Sequence, residues 1–335
     1  MDMSEPLHRR ADVALRGTLT EDEPMARHVS WRAGGGARRA YVPADLDDLA
    51  VFLRTLPADE PVCFVGLGSN LLVRDGGYLG TVVLMHHTHG ALCIANGEVF
   101  ADAGTASPKV ARLAATHGYE GAEFLAGVPG TVGGALAMNA GCHGSETWEF
   151  VARVQTIDRA GTLRVRVPAD YEIGYRHCVL RAVQDPRPYT PEVTTSVAAR
   201  GSHLVAQPSR EEWFTGAWLR FEEGNAERAR QRIKALLAKR VATQPLNFPN
   251  AGSVFRNPPG DHAARLIEAC GLKGFAIGGA RISEKHANFI VNPERAASAA
   301  DIEALIAHAR RTVLERFAVE LHAEVQIIGE GERGA

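Results

Sequence analysis

Phe64-Val-Gly-Leu-Gly-Ser-Asn70 joins one apolar, β-rich run, Val62 to Val65, directly to another, Leu71-Leu-Val73. A glycine turn of this kind after a strand invites comparison with a dinucleotide-binding fingerprint, but its third glycine is missing. That fingerprint also needs a helix where Leu71 to Val73 continue as strand, because the pyrophosphate sits on a helix N-terminus. The sequence therefore disfavours a nicotinamide-type doubly wound fold. A strand, a glycine turn and a second strand can still offer successive N–H groups to an anion, and the hydroxyl of Ser69 and the amide of Asn70 add side-chain donors. A tight β-turn with no ligand is the plainer alternative for this loop alone.

A second glycine loop, Gly127-Val-Pro-Gly-Thr-Val-Gly-Gly134, is followed by Ala-Leu-Ala-Met-Asn-Ala-Gly141. Small neighbours let such a segment approach a flat ligand closely while its N–H groups stay available, although a glycine-rich structural crossover would look similar. The excess is chain-wide but clustered, with 34 glycines in 335 residues.

Around these loops the pattern is mixed α and β. Leu46, Leu49, Ala50 and Leu53 form a helical stripe, and Ser107-Pro108 reads as an N-cap and first helical residue, closed by Gly118. Ile302, Leu305, Ile306, Ala309, Val313 and Phe317 repeat at helical spacing behind a Ser298 cap, with Asp301 favouring the N-terminus. Strands are expected at Val62 to Val65, Thr81 to Met85, Val151 to Ile157, Asn288 to Val291 and Glu324 to Ile328. Arg181 to Glu212 reads as a loop-rich excursion. Beyond it, Asn225 to Ala242 reads as a charged helix with Ile233, Leu236 and Leu237 on one face, which places a domain boundary near Gly224.

Charge narrows the partners. Lys plus Arg number 37 against 39 Asp plus Glu, a net charge of -2, so no overall field draws the chain onto nucleic acid or an anionic membrane. The first twenty residues carry charge and lack a signal-peptide core, and no window is long and apolar enough to span a bilayer. Five scattered cysteines without a C-x-x-C pair fit reduced thiols, and a cytoplasmic location is expected. His86, His87 and His89 lack a nearby Cys, Asp or Glu to complete a ligand set, so no metal is expected.

Five segments occur in one order: Val65 to Val73, Gly127 to Gly134 with Met138 to Gly141, Tyr175-Arg176, Ala251 to Phe255 with Asn257-Pro258, and Ser283 to Phe289. Together they resemble the UDP-N-acetylenolpyruvoylglucosamine reductase family over roughly residues 27 to 329. The match is to the subclass lacking a long tyrosine-bearing loop. The resemblance implies an α+β fold with a vanillyl-alcohol-oxidase-type FAD-binding domain over 20–224, carrying the loop-rich insertion of about 181–212. A smaller α+β substrate-binding domain over 225–320 and a final strand over 321–329, returning to the active site, complete it. It implies noncovalent FAD and NADPH as hydride donor. The reaction is reduction of an enolpyruvyl ether of UDP-N-acetylglucosamine to UDP-N-acetylmuramate, with no obligate protein partner.

The same resemblance implies cofactor contacts at Gly66, Gly68, Ser69, Asn70, Leu71, Val128, Gly130, Thr131, Gly133 and Gly134. It implies that Arg176 is the cation on the substrate carboxylate, Ser253 the proton donor to the α-carbon, and Glu324 their active-site companion. It puts Tyr175 on the substrate, and Arg256 and Asn257 on its diphosphate. Read singly, each has a plain alternative: a surface arginine, a serine capping a turn, an outward strand carboxylate. Two departures stand out, Cys178 where the family usually has serine, and Arg240 followed by Thr243-Gln-Pro245 where it has a lysine. Two other functions compete: an oxygen-using oxidase on the same flavin fold, and a flavin-binding protein without catalysis.

Overall fold

The computed structural model describes residues 14–87, 90–181 and 211–331. Most of the expected 181–212 excursion, and His89, lie outside the described residues.

The N-terminal half opens with β1 (Thr18–Pro24), β2 (Gly36–Val42), α1 (Leu46–Thr55), β3 (Val62–Val65), β4 (Leu71–Val73) and β5 (Tyr78–Leu84). Four of these strands form one sheet in the order β1-β2-β5-β3, antiparallel at β1/β2 and parallel elsewhere. The expected strand Thr81 to Met85 starts earlier and ends at Leu84, since Met85 opens a 3-10 turn. The helix α1 is capped by Asp45, whose carboxylate accepts from the Asp48 N–H at 2.9 Å.

A second, antiparallel sheet uses β6 (Leu92–Ala95) and β7 (Glu98–Asp102), then, beyond α2 (Ser107–Thr116) and α3 (Val132–Ala137), β8 (Val151–Asp158) and β9 (Leu163–Arg166). After the hairpin β10 (Tyr171–Gly174) and β11 (His177–Leu180), β12 (Glu212–Leu219) completes it in the order β9-β8-β12-β7-β6. The cap of α2 is Ala106, not Ser107. Ser107 is the first helical residue, its Oγ is buried without a hydrogen bond, and Pro108 follows in the first turn. Ser107 is fully buried and its N–H donates to Gly130 O at 3.1 Å, and this docking on the second glycine loop, not helix capping, decides that site.

The charged segment forms α4 (Ala226–Thr243), with Asn225 as N-cap accepting from the Arg228 N–H. Ala229 is its sole buried residue, and Leu237 is exposed, so the expected apolar face is narrower than Ile233, Leu236 and Leu237 suggested. This helix packs on α2 and on the 3-10 turn Glu123–Gly127, while Arg228 and Arg232 reach Glu120.

The last part holds α5 (Ala263–Ala269), a small sheet of β13 (Ala276–Ile277), β14 (Ala280–Ile282) and β15 (Ile290–Val291), then α6 (Ala299–Phe317) and β16 (Gln326–Ile328). The expected strand from Asn288 begins only at Ile290, because the Asn288 carbonyl takes the Val254 N–H instead of a ladder partner. In α6 the Ser298 cap is present as a reciprocal box with Asp301. Its residues Ile302, Leu305, Ile306, Ala309 and Val313 are buried with Phe255, Leu266 and Ile282 in one core. Burying each of the larger ones contributes roughly 1.5–3 kcal/mol.

That core also takes Trp31, Ala33 and Leu72 from the N-terminal half. Trp31 donates its indole N–H to Ile290 O at 2.8 Å and accepts from Asn292 through its own carbonyl. Asp75 receives the Ala299 and Ala300 N–H groups, and Arg74 pairs with Glu303. The chain finally returns as β16, parallel to β4, with Gln326 opposite Leu71. The strand that follows the first glycine loop is thereby locked beside the C-terminus of the chain.

Candidate active site

Four chain segments meet where β16 joins β4. The first is the β10/β11 hairpin, whose two-residue turn is Tyr175-Arg176, with Gly174 opposite His177. Arg176 sits at φ +54°, an unusual angle for a residue with a side chain. Its guanidinium is held on three sides: Nε donates to Glu324 Oε1 at 2.5 Å, Nη1 to Asn139 O at 3.3 Å, and Nη2 to Gly141 O at 3.2 Å. It also lies 5.2 Å from the Tyr175 ring centroid.

The second segment carries Glu324. It precedes β16 and does not belong to it, a correction to the expected strand start, and sits beside the isolated bridge between Phe255 and Ala323. Its backbone is fixed on both sides: the N–H donates to Val254 O at 2.7 Å, and the carbonyl accepts from Asn70 Nδ2 at 3.1 Å. Burial pushes its carboxyl pKa up, while the charges of Arg176 and Arg256 pull it down. The net direction is upward, so this glutamate holds a proton more readily than an ordinary one.

The third segment is Ala251 to Asn257. Asn288, 4% exposed, clamps it by accepting from the Phe255 N–H and donating to Phe255 O, and its own carbonyl takes the Val254 N–H. Gly252 at φ +77° turns the chain immediately before Ser253. The half-buried Ser253 hydroxyl makes no hydrogen bond among the described residues. Arg256 donates Nη2 to Arg176 O at 3.3 Å. Asn257 is exposed and already accepts the Ala263 N–H through Oδ1, so only its amide N–H groups remain for a ligand. Tyr175 is half exposed, and burial of its phenol together with the Glu324 charge raises its pKa.

The fourth segment is the pair of glycine loops, which touch. Ser69 Oγ donates to Pro129 O at 3.0 Å. A Cβ on Gly130, which has φ +110°, would lie 2.6 Å from Ser69 Oγ, and one on Gly66 would lie 2.2 Å from Thr131 Oγ1. A Cβ on Gly68 would meet His28 O at 2.2 Å. The glycines are thus needed to bring two stretches of backbone together. The N–H groups of Val132 and Gly133 are spent on Thr105 O and Ala103 O. Among the described residues, those of Ser69, Asn70, Gly130 and Thr131 donate to nothing, although Thr131 is only 3% exposed. Undonated N–H groups from two touching loops suit a pyrophosphate, so the backbone here fits FAD.

Side chains in the loops behave differently from expectation. The Ser69 hydroxyl and one amide of Asn70 are engaged by Pro129 and Glu324, which leaves backbone as the main donor. Leu71 and Val128 are buried in hydrophobic cores, and Gly134 is exposed. The arrangement brings Arg176, Glu324, Tyr175, Arg256 and the Ser253 segment together, and ties Glu324 to the first glycine loop through Asn70.

Two residues with a part in the site were not singled out by sequence. Asn139, 2% exposed and at φ +40°, donates Nδ2 to Gly174 O and to Glu146, and its Oδ1 accepts from the Trp148 N–H. It therefore fixes the hairpin base while its carbonyl holds Arg176. Asn288 plays the corresponding part for the serine segment. A lone asparagine inside a mostly apolar stretch, as in Ala-Met-Asn-Ala and His-Ala-Asn-Phe, was the available signal.

Comparison with known proteins gives the family. Residues 37–166 match the family model "FAD binding domain", and residues 244–328 match "UDP-N-acetylenolpyruvoylglucosamine reductase, C-terminal domain". Proteins named UDP-N-acetylenolpyruvoylglucosamine reductase are similar over nearly the whole chain. That of Thiobacillus denitrificans is 54% identical over 94% of both chains, and that of Nitrosospira multiformis is 55% identical over 99% of this chain and 95% of its own. The crystal structure of the Thermus caldophilus reductase superposes with a TM-score of 0.70 at 28% identity, covering 93% of this chain and 98% of that one. The chain belongs to the UDP-N-acetylenolpyruvoylglucosamine reductase family.

Proposed function

We propose that Arg176, Glu324 and Ser253 form the reaction centre, with Tyr175, Arg256 and Asn257 on the substrate, the two glycine loops on FAD, and NADPH as hydride donor. As a member of its family the protein is an FAD-dependent oxidoreductase that reduces the enolpyruvyl ether of UDP-N-acetylglucosamine in peptidoglycan precursor synthesis. FAD, when bound, supplies the two-electron chemistry.

The chain supplies electrostatics and a proton. Reduction at the β-carbon becomes feasible when the adjoining carboxylate can take up negative charge, so donors must already point at that charge as it develops. Arg176 meets this need because its guanidinium is oriented before substrate arrives, by two backbone carbonyls and Glu324. An arginine fork suits a carboxylate better than a lysine would. Ser253 is read as the donor of the proton to the α-carbon, since its hydroxyl is uncommitted and the two residues that follow it, Val254 and Phe255, are clamped by Asn288. Glu324, whose carboxyl pKa is raised by burial and lowered by the charges of Arg176 and Arg256, stands beside that hydroxyl's segment as the partner that orients Arg176.

The observation that carries this reading is the Arg176–Glu324 ion pair, formed by residues 148 apart in sequence and only partly buried. For the domain division, we place the second unit after α4, near Gln244, and not at Gly224. What supports this is the packing of α4 on α2 and on Glu123–Gly127. We also place the protein in the cytoplasm, and no helix among the described residues is long and apolar enough to cross a membrane.

Stopped-flow absorbance of the yellow holoenzyme tests the whole. NADPH is expected to bleach the flavin without oxygen, and the enolpyruvyl nucleotide sugar to restore its colour. Reoxidation by oxygen alone would favour the oxidase, and no reaction at either step a non-catalytic flavin protein.

A further inference from the structure

Around Glu324 the described charges do not balance. Two guanidinium groups face it, Arg176 through a direct ion pair and Arg256 through its field, and Tyr175 is held neutral by burial. Arg176 is therefore already neutralised by Glu324. Arg256 forms no salt bridge among the described residues. Its backbone N–H is fixed to His322 O at 2.9 Å, one nitrogen reaches Arg176 O at 3.3 Å, and its Nε is buried with no hydrogen bond. A buried guanidinium N–H without an acceptor is costly, and two cations against one carboxylate leave one positive charge in excess.

We propose that Arg256 is a second cation on the substrate's carboxylate, beside an Arg176 that stays paired with Glu324. This rests on the reading of the site given above and changes the part of the substrate that Arg256 touches, from the diphosphate to the reacting end. One added carboxylate brings the cluster to neutrality and gives the orphaned Nε its acceptor. Charge that moves onto that carboxylate during reduction then faces two guanidinium groups, only one of which is shared with Glu324. The position of Arg256 follows from the chain path: Phe255 is bridged to Ala323, so residue 256 emerges beside the segment that presents Glu324.

Two ligands with the same diphosphate separate the alternatives. UDP-N-acetylmuramate carries the lactyl carboxylate and UDP-N-acetylglucosamine does not. Their affinities for FAD-loaded wild type, Arg256→Lys and Arg256→Gln are measured by calorimetry, with flavin content and melting temperature confirming each variant's fold. Loss of a charge-assisted hydrogen bond predicts ~10- to 100-fold weaker binding of the muramate by Arg256→Gln. UDP-N-acetylglucosamine should bind that variant within about twofold of wild type. Arg256→Lys, which keeps the charge and can be read even if the glutamine variant fails to fold, should retain most of the preference. Equal weakening of both ligands, or no change in either, would overturn the proposal. A wild-type protein with no preference for the carboxylate-bearing ligand would instead overturn the functional reading beneath it.

Discussion

The two halves of the proposed reaction centre are built in opposite ways. Arg176 has every nitrogen occupied, by Glu324, Asn139 O and Gly141 O, whereas the Ser253 hydroxyl makes no hydrogen bond among the described residues and is placed only through the backbone of its neighbours Gly252, Val254 and Phe255. A charge stabiliser works best when its dipoles need no rearrangement as charge develops. A proton donor must instead be free to turn toward the atom it serves. The contrast teaches that rigidity here is assigned by task, with Asn139 organising one side and Asn288 the other.

The largest expected effect tests the free side. Ser253→Ala should leave flavin reduction by NADPH near normal and slow reoxidation by substrate ~10²- to 10⁴-fold, the usual cost of losing a positioned acid. Cysteine there should restore part of the rate. Reoxidation of the alanine variant at the wild-type rate would remove Ser253 from the reaction.

Arg176→Ala tests the fixed side, and ~10²- to 10³-fold slower reoxidation is expected, with flavin reduction again spared. Equal loss in both half-reactions would make Arg176 structural. The same variant has a signature in pH. Arg176 pulls the Glu324 carboxyl pKa down, so removing it leaves burial unopposed except by Arg256, and protonation of Glu324 persists to higher pH. The limb of the reoxidation profile that reports Glu324 should therefore move to higher pH in Arg176→Ala, and a limb that stays put would separate the two residues.

Asn139→Ala probes the support and should be milder in rate, roughly tenfold. It also costs about 1–3 kcal/mol of stability, since the buried Trp148 N–H loses its acceptor and Gly174 O a donor. Thermal unfolding and single-turnover reoxidation together check it. The smallest effect is expected for Cys178→Ser. Cys178 lies in β11 with its thiol half-buried among hydrophobic residues and its pKa pushed up to about 12, so it is neutral, and the swap should alter reoxidation by no more than about threefold.

Much of the local structure was legible because its causes are local. Strand β3, the absence of a helix after the first glycine loop, and the Ser298 box on α6 each depend on a few neighbouring residues. Ser107 failed as a cap because its place is decided by what packs around it, and the apolar face of α4 was overread because the helix lies on the surface. The candidate residues Arg176 and Ser253 were picked out through ordered motifs, and Glu324 as a charge within an apolar run, not through their spacing.

What the sequence determined by itself was the inventory: two clusters of glycines, an arginine after a tyrosine, a serine after a glycine, a glutamate in an apolar run. Only the tertiary structure decided who meets whom. Pairing of β4 with β16 sets Glu324 against Asn70, the Phe255–Ala323 bridge sets it beside the serine segment, and the β10/β11 turn delivers Arg176 across 148 residues. Ion pairing acts over a few ångströms, so a sequence can name the charges while only the folded chain brings them within reach.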